Sequence, residues 1–153
     1  MKNTNAPALR AMGTGLALTV VAAVMPFVDR ATTHLLADHI AAGYPGYPAA
    51  RIDSAVSTWL VLLAGVGALG VAGWVWSIRA VASGARWARW TATALFLLGT
   101  TVALSALLVR DTSGDAGLPP LLGWLGILPC LAGAVAVTML WRQPTHARPG
   151  ASG

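Results

Sequence analysis

His34, Asp38 and His39 form the densest group of reactive side chains in the sequence. Residues four apart share a helical face, so His34 and Asp38 can meet, and imidazole with carboxylate suits zinc. His39 follows Asp38 directly and is turned about 100° away on a helix, so the three do not converge easily on one ion. A further ligand would have to come from Asp29, Asp53, Asp111 or Asp115. The plainer reading is a solvated helix face with a local His–Asp pair. That leaves the three as weak metal candidates, with no cofactor expected. A pH-sensing role for the pair is a further option, because histidine titrates near neutrality.

Thr100, Thr101 and Ser105 make a second polar set, inside an apolar stretch. Thr101 and Ser105 share a face. Hydroxyls in such places commonly bond back to a carbonyl of their own helix. The functional alternative is a polar strip along a substrate path. Cys130 is the single cysteine, so no intrachain disulfide can form. It follows Pro129 in an apolar run with no basic neighbour to activate it, and reads as an inert buried thiol.

Gly65-Val66-Gly67-Ala68-Leu69-Gly70 spells a dinucleotide-binding fingerprint, GxGxxG. That reading needs a preceding strand and an acid about 20 residues further on. Neither is present, so the letters are better read as close helix packing. Ala64, Ala68 and Ala72 form one small stripe, with Gly65, Leu69 and Gly73 beside it. Small residues let backbones approach, either within the chain or between protomers.

Arg79 and the repeat Arg86-Trp87-Ala88-Arg89-Trp90 suggest a different surface. On a helix, a spacing of three groups Arg86 with Arg89 and Trp87 with Trp90. Guanidinium groups reach lipid phosphates while indole rings settle at headgroup depth. The expectation is a membrane-interface anchor that also contacts anionic lipid.

The elements that carry these groups follow from hydropathy. Of the 153 residues, 56% are hydrophobic and only 10% are charged, against roughly a quarter charged in soluble domains. Residues 11–28, 55–78, 91–109 and 121–141 are apolar and contain no Asp, Glu, Lys, Arg or His. About 20 such residues cross a bilayer as a helix. The first stretch follows Lys2 and Arg10 and could resemble a cleaved leader ending near Val21-Ala22-Ala23, but it stays apolar through Val28. An uncleaved span is therefore expected.

Lys2, Arg10, Arg79, Arg86, Arg89, Arg142 and Arg148 flank one side of these spans, and Arg30, Arg51 and Arg110 the other. Seven against three sets the first group inside. All five acids fall on the second side. The net charge of +5 therefore reflects orientation rather than a nucleic-acid surface, and no nucleic-acid partner is expected.

The expected fold is an all-α integral membrane protein, an antiparallel four-helix transmembrane bundle. Its membrane domain covers 9–141, with an extracytoplasmic loop or short helix at 29–54, an inner loop at 79–90 and a second outer loop at 110–120. The flanks 1–8 and 142–153 are expected to be disordered and cytoplasmic, placing both termini inside the cell membrane. No charge lies mid-span, which argues against proton pumps and voltage sensors. The expected function is a non-enzymatic accessory or self-associating protein, partnered by the bilayer, a second copy or another membrane protein. The alternatives are a small-molecule or lipid transporter built from several protomers, and an enzyme or metal site using the outer His/Asp group.

Overall fold

The computed structural model describes residues 5–108, 110 and 117–142. Its helices are α1 (Ala6–Ala31), α2 (Leu35–Gly43), α3 (Ala49–Ala82), α4 (Ala88–Leu108) and α5 (Pro120–Arg142). All but α2 are long and apolar enough to cross a membrane. Helices α1, α3 and α5 each contain one apolar stretch of the sequence and extend past it at both ends, and α4 carries the stretch 91–109 as far as Leu108. At 34 residues, α3 is about 51 Å long, well beyond a hydrocarbon core of about 30 Å. Hydropathy marks where polar side chains stop, whereas a helix ends only where its backbone bonding does.

Pro7 sits in the first turn of α1, where its missing N–H costs no helical bond. The helix thus begins within the segment 1–8 expected to be disordered, and Ala8 is fully buried. Arg142, the first residue of the expected C-terminal tail, closes α5. Residues 1–4 and 143–153, and Asp111 and Asp115 of the second outer loop, lie outside the described residues.

Helix α1 packs against α3 and α5, and α4 packs against α5, while α3 and α4 touch more lightly. Apolar clusters form at both ends. One joins Ala8 and Met12 of α1 to Val81, Ala92 and Leu140 from α3, α4 and α5. The other joins Leu36 and Ile40 of α2 to Val56 and Leu60 of α3 and Leu122 of α5. Between them the backbones come close. A Cβ on Gly67 would lie 2.5 Å from the Cβ of Ala23, and one on Gly15 would collide with the Trp74 ring. Only glycine fits these two places.

Trp74 belongs to this interior. Its indole N–H donates to the Thr19 hydroxyl at 2.9 Å. That hydroxyl donates to the Gly15 carbonyl at 2.8 Å. The polar edge of the ring is thus satisfied by α1 rather than by interfacial water.

Candidate functional site

Helix α1 runs through Pro26 to Ala31 and then breaks. The break is built on Asp29, which is only 3% exposed. Its backbone carbonyl accepts from the N–H groups of Thr32, Thr33 and His34 at 3.2, 3.1 and 2.8 Å. Its carboxylate accepts from the amides of Leu35 and Leu36 at 2.8 and 3.0 Å. The Thr33 hydroxyl donates to it as well. The first amides of a helix have no partner in their own ladder, so Asp29 caps α2 from the preceding helix. His34 completes the elbow with φ 55°, a left-handed value uncommon outside glycine.

Asp29 lies past the apolar run 11–28. Burial pushes its carboxyl up, but the Thr33 hydroxyl, the Leu36 and Leu35 amides and nearby His34 outweigh that. The net shift is below the ordinary carboxylate value, so the capping anion is the favoured form.

The elbow walls a cleft of about 360 Å³ between the end of α1, helix α2 and the start of α3. Asp29, Arg30, His34, Asp38 and Asp53 supply its polar lining, and Ile52 and Val56 part of its apolar lining. Arg30 donates to Asp53 at 3.0 Å and to the Ser57 hydroxyl at 3.2 Å, tying α1 to α3. Beyond α2, the turn 44–47 is closed by the Tyr47 N–H on the Tyr44 carbonyl at 3.0 Å. Gly46 follows Pro45 but lacks the positive φ of a type II turn. The two tyrosine rings stack at 4.7 Å, and the Arg51 guanidinium lies 4.5 Å from the Tyr47 ring centre.

His34 and Asp38 both line the cleft, whereas His39 does not. Among the described residues no three His, Cys, Asp or Glu side chains gather closely enough to hold a metal ion. Asp29 is occupied by capping and Asp53 by Arg30. Sequence reasoning missed the role of Asp29. Its signal is a carboxylate at the end of an apolar run, followed within five residues by Thr32, Thr33 and His34.

The polar set on α4 does not converge. The Thr100 hydroxyl oxygen is buried and has no hydrogen-bond partner among the described residues. Thr101 is exposed and bonds back to the Leu97 carbonyl at 2.9 Å, and Ser105 is also exposed. Cys130 likewise donates back, to the Gly126 carbonyl at 3.6 Å.

The small residues of α3 separate into two faces. Gly67 and Gly70 meet Ala23 and Thr19 of α1, and Gly73 lies against Leu95 of α4. Gly65, Ala68 and Ala72 are exposed, and Ala64 is half-buried. A Cβ on Gly65 would meet nothing within 4 Å.

At the opposite end, Ala85, Arg86 and Trp87 lie in the turn before α4, and the helix starts only at Ala88. The two tryptophans of the repeat therefore diverge. Trp87 approaches Trp76 of α3 at 6.4 Å, and Trp90 meets Trp141 of α5 edge-on at 4.8 Å. The Arg89 guanidinium lies 5.3 Å from the Trp141 ring centre. The Trp141 N–H donates to Thr93 at 3.1 Å. Arg79, Arg86 and Arg142 are exposed.

Comparison with family models, curated proteins and solved structures finds no match for the chain.

Proposed function

We propose that the chain is a multi-pass cell-membrane protein that acts by associating with a second copy or another membrane protein, without catalysis. Its four long helices form an antiparallel transmembrane bundle with both termini and the α3–α4 turn cytoplasmic. The placement is supported by the exposed apolar surface. Val61 and Leu69 are each 75% exposed, and water would penalise such a belt by about 25 cal/mol per Å². The antiparallel course is supported by contacts that run in opposite directions along α1 and α3: Gly15 with Trp74, Thr19 with Gly70, Ala23 with Gly67.

The observation that carries the association reading is the division of α3 into two small-residue faces. Gly67 and Gly70 are used against α1, while Gly65, Ala68 and Ala72 remain open. A flat, small-residue face on an apolar helix allows close backbone approach by another helix.

Native mass spectrometry of the full chain released from mild detergent tests this reading. A defined oligomer or a co-purified membrane protein is expected. The pair Ala68→Leu and Ala72→Leu should dissociate it while leaving helical content unchanged. A monomer without partner, or an assembly indifferent to both substitutions, removes the proposal.

A further inference from the structure

We propose that the α3–α4 turn and the end of α5 form a binding surface for anionic phospholipid, recognised through a phosphodiester that no cation of its own headgroup neutralises. The proposal rests on the membrane placement above. It goes beyond orientation and anchoring, because it assigns a headgroup preference to named side chains.

No Asp or Glu occurs anywhere between Asp53 and Asp111 or after Asp115. Arg79, Arg86, Arg89 and Arg142 therefore have no neighbouring carboxylate in sequence. Arg30 pairs with Asp53 at the other end. A guanidinium beside low-dielectric material gains most from a fixed anion, and its planar fork matches two oxygens of a phosphate. Four such groups at one end, with no carboxylate partner among the described residues, call for an external anion.

The aromatic framework specifies the kind of anion. Trp76 with Trp87, and Trp90 with Trp141, form two indole pairs at this end. All four rings remain at least 44% exposed. A soluble anion has no use for such rings, whereas a lipid brings acyl chains to cover them at headgroup depth. Arg89 is held by the Trp141 face, and that ring is fixed in turn by its bond to Thr93. One guanidinium is thus oriented before any lipid arrives, and exposed Arg86 lies in the adjoining turn.

The test uses the full chain reconstituted in vesicles of equal phosphatidylglycerol and phosphatidylcholine. An alkaline carbonate wash and flotation come first, and lipids retained after mild-detergent extraction are then counted by native mass spectrometry. Wild type should retain phosphatidylglycerol in preference to phosphatidylcholine. Arg86→Gln with Arg89→Gln should reduce that preference about 25-fold, at roughly fivefold per guanidinium. Arg30→Gln with Arg51→Gln should leave it unchanged. A second measurement needs no variant: phosphatidylglycerol brominated near the carbonyl should quench wild-type tryptophan fluorescence more than equally brominated phosphatidylcholine. A chain that stays in the vesicles but retains and is quenched by both lipids equally overturns the lipid site alone. Equal loss in the Arg30/Arg51 variant also overturns it, since bulk charge would then be the cause. A chain stripped by the carbonate wash overturns the membrane placement with it.

Discussion

At the end of the bundle that carries α2, charged groups answer one another inside the chain; at the α3–α4 turn they do not. Asp29 holds the first amides of α2, and Arg30 reaches Asp53 and Ser57. Arg51 lies over Tyr47. At the other end Arg89 lies over Trp141, and no carboxylate among the described residues pairs with the arginines. The first arrangement fixes the shape of a short helix and its cleft. The second leaves charge available to whatever surrounds the protein.

That contrast should appear as different responses to substitution. The largest effect is expected from Asp29→Ala, which leaves the Leu35 and Leu36 amides without an acceptor. The cost should be about 2–3 kcal/mol, read as faster hydrogen exchange across α2 and a lower Tm. Protection of α2 equal to wild type would mean that the elbow holds by packing alone.

Acidification should act on the same end, more weakly. The Asp29 carboxyl is shifted down, so its contribution is complete above the ordinary carboxylate value of about 4 and fades as pH falls through the lower folded value. Exchange at Leu35 and Leu36 should quicken over that range, while amides near Trp87 and Trp90, with no acid nearby, should not respond. Equal responses at both ends would break the comparison.

Asp53→Asn removes an ion pair whose side chains are 44% and 69% exposed. Such a pair contributes about 1 kcal/mol or less, so its Tm should shift by a few degrees at most. The smallest effect is expected from Arg86→Gln in neutral detergent, where no anion is present: Tm should match wild type. A clear loss there would reveal an internal partner for Arg86 and weaken the assignment of this end to lipid.

Much of the fold was legible beforehand for one reason. Uninterrupted apolar stretches can satisfy their backbones in lipid only as helices, so the four long elements followed from hydropathy. The Arg/Trp flank was legible from interface preference. The break after Ala31 was not, because Thr32, Thr33 and His34 form no strong stop signal on their own. It becomes necessary only when Asp29 turns its carboxylate toward amides six and seven residues ahead.

Residue types alone dictate four apolar helices, their approximate limits, the lack of charge within the apolar stretches and the concentration of arginine at one set of flanks. Which side of each helix is interior follows from packing. Gly67 and Gly70 face α1 while Gly65 and Ala68 stay open, Trp74 lies over Gly15, and the buried Thr100 hydroxyl is separated from exposed Thr101 and Ser105. The physical reason is that a helix apolar all round has no amphipathic period to mark its inner face. The choice of face is then made by shape: where a glycine leaves room, a ring or a neighbouring backbone fills it.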